Sequence, residues 1–120
     1  MKKVFILFLV IFFISSCNNA TKNSDTISYQ NAKEKIINEG ALMVEVGTKE
    51  EYNEEHINGA SFLDFDEINE DTVKEIIDNK SNIIILYSKD GEKSKKALYL
   101  LNSLGYSNVY DFGSIDNWKE

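Results

Sequence analysis

The run NIIILY at residues 82–87 is the most hydrophobic stretch of this 120-residue chain outside its first sixteen residues. Its four consecutive aliphatic residues, 83–86, predict a strand buried on both faces, as in the centre of a parallel sheet. The polar loop SKDGEK follows at 88–93, and a helical stripe of Ala97, Leu101 and Leu104 then ends at Gly105. A buried strand, a loop and an amphipathic helix in this order indicate a βαβ unit.

The same alternation extends to both sides of this strand. Short apolar runs predict further strands at 42–46, 60–63 and 109–110. A helix is predicted after Ser28, which can cap it, with Ala32, Ile36 and Ile37 on one face and Gly40 at its end. We therefore predict an α/β fold, a small domain with a central parallel sheet of about five short strands flanked by helices.

Two further helices and the chain's end complete this prediction. The sequence TKEE at 48–51 has the form of a capping box and opens a short acidic helix. Val73, Ile76 and Ile77 form the apolar face of another helix, and residues 113–120 are predicted to form a turn or a helix. Tyr110 and Trp118 are interpreted as core residues, and the four glutamates within 49–55 as either a solvated face or a partner-binding face.

The first sixteen residues have the features of a secretory signal peptide. Lys2 and Lys3 precede eleven apolar residues at 4–14, whereas a helix that spans a bilayer needs about twenty. The sequence ISSC at 14–17 resembles the lipobox of bacterial lipoproteins, and this resemblance implies a diacylglyceryl group on Cys17. Residues 17–26 would then be the lipidated cysteine and a polar tether, and 27–120 the domain. The alternative is an ordinary signal peptide that ends near a cysteine.

Composition excludes several classes of function. The chain has no Arg, one His and one Cys, and after the first sixteen residues it carries 11 Lys against 20 acidic residues, a net charge of −9. Nucleic-acid binding and adsorption to anionic lipid through a basic face both need cationic surface, so neither is expected. One cysteine and one histidine provide neither a disulfide framework nor a cysteine-rich metal site. We predict no metal and no cofactor.

Several separate segments resemble the rhodanese-like domain family. They are MVEVGTKEEY at 43–52, EHINGA at 55–60, GYSNVY at 105–110 and GSIDNW at 113–118. The resemblance spans about 27–118 and implies that the loop after the central strand is the active-site loop. In that family a Cys opens this six-residue loop, whose backbone N–H groups suit an anion, and the Cys carries sulfane sulfur as a persulfide.

By the same resemblance, this chain departs from the family where the chemistry occurs. The position of the Cys is held by Ser88, and Gly47 stands where the family commonly has Arg. A hydroxyl oxygen cannot supply half of a sulfur–sulfur bond, and a serine needs an adjacent base to become a nucleophile. The only histidine, His56, lies in a segment with a structural part in the family, and we expect it to support a turn.

The residues therefore favour a membrane-anchored rhodanese-like lipoprotein without sulfurtransferase activity, with its domain outside the cytoplasm in the cell envelope. Its partners would be membrane lipid through Cys17, an envelope protein, and a small anion at the candidate loop. This loop consists of Ser88, Lys89, Asp90, Gly91, Glu92 and Lys93. Its two lysines are balanced by two carboxylates, so backbone donors would supply most of the attraction.

Three alternatives stay open. The loop can be a solvated turn in which Ser88 or Asp90 caps the helix near Ser94. The chain can be a sulfurtransferase-related enzyme that handles sulfane sulfur with a partner's thiol. It can also be an unrelated small α/β adaptor.

Overall fold

A computed structural model describes residues 25–119 as four parallel strands alternating with four α-helices. The elements are α1 (Tyr29–Glu39), β1 (Leu42–Gly47), α2 (Lys49–Glu54), β2 (Ser61–Asp64), α3 (Glu70–Ile76), β3 (Ile84–Ser88), α4 (Glu92–Ser103) and β4 (Val109–Ser114). Within these residues no helix has the length and hydrophobicity needed to cross a bilayer. The predicted signal peptide, Cys17 and most of the predicted tether lie outside the described residues.

The sheet has the order β2-β1-β3-β4, and every neighbouring pair is parallel. All five residues of β3 are buried, which confirms the prediction of a central strand. The predicted number of about five strands is slightly high. Thr26 forms one isolated parallel bridge with Asp111 of β4, and Ser28 then begins the cap of α1, so the chain turns into a helix before a fifth strand forms.

The predicted caps of α1 and α2 are confirmed. Ser28 accepts a hydrogen bond from the backbone N–H of Asn31, and Gly40 ends α1 in the left-handed conformation. Thr48 and Glu51 form a reciprocal capping box at the start of α2. Such caps satisfy the N–H groups that have no partner inside the helix.

The prediction that Ile37 shares the buried face of α1 is wrong. Ala32 is buried and Ile36 packs partly against the core, but 70% of Ile37 is exposed. Adjacent helical residues point about 100° apart, so the residue after Ile36 leaves the narrow face that meets the sheet.

Two boundaries also differ from the prediction. Strand β4 continues to Ser114, because it stays paired with β3 beyond an irregularity at Leu86/Tyr87. Ser88 is the last residue of β3 and pairs with Ser114, although the sequence places it at the start of the loop. The terminal segment forms a single 3₁₀ turn, Ile115–Asn117.

The two faces of the sheet pack against different layers. Val44, Val46 and Leu86 point to the face covered by α3 and α4. Met43, Ile85 and Tyr87 point to the opposite face, where they pack with α1 and the end of the chain. Tyr110 and Trp118 pack partly buried against this second cluster, as predicted. Alternate residues of β1 thus serve two cores, and the second face leads to the candidate site.

Candidate functional site

The candidate loop closes around the hydroxyl of Ser88. Only 1% of Ser88 is exposed. Its Oγ accepts hydrogen bonds from the backbone N–H of Gly91 at 3.0 Å and of Ser94 at 3.1 Å, and it donates to Ser94 Oγ at 3.2 Å. A hydroxyl has one donor and two acceptor positions, so these three bonds use its full capacity.

Asp90 satisfies another donor of the same loop. Its Oδ1 accepts from the backbone N–H of Glu92 at 3.0 Å, whereas Gly91, the N-cap of α4, provides no side-chain bond. The N–H groups of Gly91, Glu92 and Ser94 thus already have acceptors within the loop. Ser88 and Asp90 therefore both cap the start of α4, as the alternative of a solvated turn expects. Fewer backbone N–H groups of the loop remain for an external anion.

The loop is fixed against the end of β4. Gly91 has a φ of 88°, and a Cβ there would lie 3.3 Å from the backbone nitrogen of Ser114. Ser114 Oγ in turn donates to the carbonyl oxygen of Lys89 at 2.9 Å. This close approach explains why glycine occupies position 91: a side chain would need both an unfavourable φ and a shift of β4.

Both lysines of the loop turn toward carboxylates of α2. Lys89 Nζ lies 3.5 Å from Glu54 Oε1, and Lys93 Nζ lies 3.9 Å from Glu51 Oε1. The positive charge that could attract an anion to the loop is therefore balanced by neighbouring acidic side chains.

A cavity of about 130 Å³ opens beside the loop, and we call it the mouth. Its lining contains four carboxylates and one ammonium group: Glu45, Glu51, Glu54, Glu55 and Lys89, together with Ile115. The acidic segment 49–55 therefore faces the candidate site. Lys89 and Lys93 offset the charges of Glu54 and Glu51, and Glu55 lies outside both ion pairs. The negative charge that remains disfavours the entry of anions and favours cations.

A buried hydrogen-bond chain that the sequence analysis missed lies below the mouth. Glu45 is 1% exposed, and its Oε1 accepts a 2.9 Å hydrogen bond from the Tyr87 hydroxyl, which itself accepts from the backbone N–H of Ile57 at 2.9 Å. Burial raises the pKa of Glu45, and burial likewise raises the pKa of Tyr87. The sequence signal that could have revealed this hydrogen-bond chain is a glutamate between two valines of a predicted strand, because a buried carboxyl group needs a hydrogen-bond partner.

Ser94 and Asp111 were missed as well. Ser94 is fully buried, and its hydroxyl donates to the Gly91 carbonyl oxygen at 3.3 Å. Asp111 lies on β4, and its carboxyl accepts from the backbone N–H of Gly113 at 3.0 Å. Burial raises the pKa of Asp111. In the described part of the chain, the Ser88 hydroxyl bonds only to groups of Gly91 and Ser94, so no general base contacts it directly.

His56 has a structural role in the described chain. Its ring stacks on Tyr52 with the ring centres 3.8 Å apart, and Nδ1 lies 2.8 Å from the Tyr52 carbonyl oxygen. These contacts hold the segment after α2, in agreement with the expected turn support. Among residues 25–119, no group of three or more His, Cys, Asp or Glu side chains is arranged to hold a metal ion.

The four parallel strands, with the candidate loop between the central strand β3 and the N-terminus of α4, form a small α/β domain. The family model for the rhodanese-like domain matches residues 28–120, and the chain belongs to this family. No protein of curated function matches the chain.

Solved structures show the same fold. The chain is similar to the human single-domain sulfurtransferase TSTD1, at 16% identity and a TM-score of 0.67, over 78% of this chain and 94% of that one. It is also similar to a rhodanese-like domain protein from Staphylococcus aureus, at 23% identity and a TM-score of 0.63, over 80% and 92%. An E. coli rhodanese with anions is 25% identical, with a TM-score of 0.60, over 64% and 89%.

Proposed function

We propose that this chain is a rhodanese-like lipoprotein without sulfurtransferase activity, held at the membrane through Cys17, whose domain binds a ligand or a protein in the cell envelope. Its partners are membrane lipid and an envelope component, and its reaction chemistry is lost. The domain lies outside the cytoplasm.

The observation that carries this proposal is the state of Ser88. Its position at the end of the central strand corresponds, by the family resemblance, to the sulfur-carrying Cys. Its oxygen cannot carry sulfane sulfur, and its three hydrogen bonds already use its donor and acceptor capacity. A hydroxyl with no base in contact also stays protonated, so nucleophilic chemistry of another kind is disfavoured.

The surroundings of Gly47 support the same conclusion. A Cβ at position 47 would lie 2.5 Å from Glu51 Oε1, the oxygen that accepts from the Thr48 backbone N–H. A larger residue at 47 would have to displace this carboxylate, which caps the start of α2. The arginine implied by the resemblance is missing, and the carboxylate of Glu51 lies directly beside its position.

The loop gives less support to the alternative function, in which the chain handles sulfane sulfur with a partner's thiol. A persulfide supplied by a partner's thiol is anionic near neutral pH, and the mouth beside the loop presents carboxylates to it. The three N–H groups of the loop that could receive it are already bonded to Ser88 and Asp90.

The test is sulfur transfer from thiosulfate to cyanide by purified residues 18–120, with Ser88→Cys measured beside it. Residues 18–120 are suitable because they contain the whole described domain. The similarity to a solved single-domain protein covers 78% of this chain and 94% of that one. We expect no turnover above the blank for the unmutated protein. Turnover by Ser88→Cys would show that only the nucleophile was lost. Turnover by the unmutated protein would overturn the proposal.

Lipid attachment has its own test. The full-length chain expressed in a bacterial host should partition with membranes, and mass spectrometry of its N-terminal peptide should show a diacylglyceryl adduct on Cys17. Cys17→Ser should remove both, because the thioether cannot form. Ser16→Ala, which leaves a small residue before the cysteine, is the control. Membrane partition that survives Cys17→Ser without the adduct would contradict the lipid anchor.

A further inference from the structure

The mouth is one end of a longer groove on the face of the sheet covered by α1. It shares Glu55 and Ile115 with a second cavity of about 390 Å³. The second cavity shares Ile57, Asn58 and Trp118 with a third cavity of about 250 Å³. The three cavities therefore lie side by side, and the segment after α2 and the end of the chain form their common walls.

The two ends of this groove differ in chemistry. The mouth carries the four glutamates described above, including buried Glu45. The third cavity is lined mainly by apolar side chains, among them Ile36, Ile37 and Met43. Met43 and Glu45 are two residues apart on β1 and point to the same face of the sheet, so the strand itself connects the apolar end to the acidic end.

The exposure of Ile37 is consistent with a binding role for the apolar end. This side chain is 70% exposed although it lies beside the half-buried Ile36 and the groove wall formed by Trp118. A large aliphatic side chain at the rim and an aromatic side chain in the wall are suitable contacts for apolar groups of a ligand.

We propose that this groove binds an extended segment of a partner protein that carries lysine residues at one end and large apolar residues at the other. The lysine residues of the partner segment bind at the mouth because their charge complements its carboxylates. The apolar residues of the segment bury Ile37 and cover Trp118. This inference rests on the proposed binding function and names the chemistry of the partner. An anionic ligand would meet like charge at the mouth.

Trp118 allows a direct measurement, because it is the only tryptophan of the chain and lines two of the three cavities. The probe is the capped peptide Lys-Lys-Gly-Gly-Leu-Leu, which spans about 20 Å when extended and contains no aromatic residue. Titrated into residues 18–120, it should change the Trp118 fluorescence in a saturable manner. Glu-Glu-Gly-Gly-Leu-Leu tests the charged end, and Lys-Lys-Gly-Gly-Ser-Ser tests the apolar end. Both should bind at least about fivefold more weakly, since losing about 1 kcal/mol weakens binding roughly fivefold.

Matched variants locate the two ends on the protein. Glu54→Gln with Glu55→Gln should raise the Kd of the peptide about fivefold and reduce its salt dependence. Glu55 can no longer pair with a peptide lysine, and Lys89, without its partner Glu54, repels the peptide, each effect being about 0.5 kcal/mol. Glu67→Gln with Glu75→Gln removes the same charge from exposed positions next to and within α3, on the other face of the sheet, and should leave the Kd unchanged.

A second pair of variants tests the apolar end. Ile37→Ser should raise the Kd about threefold, whereas Leu100→Ser, at an exposed position of α4, should not. Because Ile37 is mostly exposed, its loss leaves the fold intact, and unchanged thermal unfolding verifies this.

Each other occupant gives a different result. Equal binding of the acidic peptide, or equal effects of both glutamine pairs, would overturn the proposal. Equal binding of the serine peptide would indicate a site for small cations only. A Trp118 response to phosphatidylcholine vesicles without a response to the peptide would indicate a bilayer, and concentration-dependent self-association would indicate a second copy; either outcome overturns the proposal. If no peptide binds and the unmutated protein shows no sulfur transfer, the proposal that the groove binds a peptide is wrong, but the proposed function stands. Sulfur transfer by the unmutated protein would instead overturn the proposed function.

Discussion

The hydroxyl of Tyr87 donates a 2.9 Å hydrogen bond to Glu45 Oε1 between two buried positions on neighbouring strands. The same hydroxyl accepts from the backbone N–H of Ile57, so one oxygen joins β1, β3 and the segment after α2. This contact fixes the wall of the groove to the floor of the mouth. The contact requires a buried carboxyl group, whose pKa is raised because burial disfavours its charged form. The loss of folding stability that results at neutral pH can be measured.

Glu45→Gln should stabilise the domain at neutral pH by about 1 kcal/mol, a typical size for a single substitution. The pKa of Glu45 is raised by burial from 4.5, so its folded form holds the proton more tightly than its unfolded form. Stability from this group is present below 4.5 and is lost as the pH rises through the folded pKa. Glutamine keeps an acceptor for Tyr87 without the charge, and denaturant unfolding from about pH 4 to pH 8 should show the gain growing with pH.

Glu75→Gln is the control for this prediction, because it removes a carboxylate from an exposed position of α3. It should change stability by less than about 0.5 kcal/mol at every pH. A gain from Glu45→Gln that is constant across pH, or largest in acid, would contradict the assigned cause.

Tyr87→Phe should destabilise the domain by about 2–3 kcal/mol, because it leaves both the Ile57 N–H and the Glu45 carboxyl without their buried partner. Tyr106→Phe is the matched control. Tyr106 is also buried, but its hydroxyl makes a single hydrogen bond, to the Ile77 carbonyl oxygen, so about 1 kcal/mol is expected. Equal losses in urea unfolding would show that the Tyr87 hydroxyl does not join the two groups.

The sequence predicted the elements better than the contacts between them. The aliphatic run before Tyr87 and the caps at Ser28 and Thr48 determined β3 and two helix starts, because those signals are local. The end of β4 and the exposure of Ile37 depend on what packs beside them, so local patterns could not place them. The groove was invisible for the same reason: its walls come from residues 43, 57 and 118, which only the folded chain brings together.

Ser88→Ala should cost about 2 kcal/mol, because the N–H groups of Gly91 and Ser94 lose their acceptor in a buried loop. Ser114→Ala removes two exposed bonds, one to the Lys89 carbonyl oxygen and one from the Asp116 backbone N–H. It should cost only about 1 kcal/mol, because water can replace both bonds at an exposed position. Chemical denaturation of the two variants gives the comparison. If Ser88→Ala is no more harmful than Ser114→Ala, the Ser88 hydroxyl does not hold the loop together.

Gly91→Ala should destabilise the domain more than Gly40→Ala, although both glycines have positive φ angles of 88° and 71°. The left-handed conformation costs a side chain about 1–2 kcal/mol at either position. At Gly40 nothing lies within 4 Å of the added Cβ, whereas at Gly91 it meets the Ser114 nitrogen at 3.3 Å. The difference between their unfolding free energies therefore measures the close approach of the loop to β4. Equal losses would mean that β4 yields without cost and that the loop is not braced there.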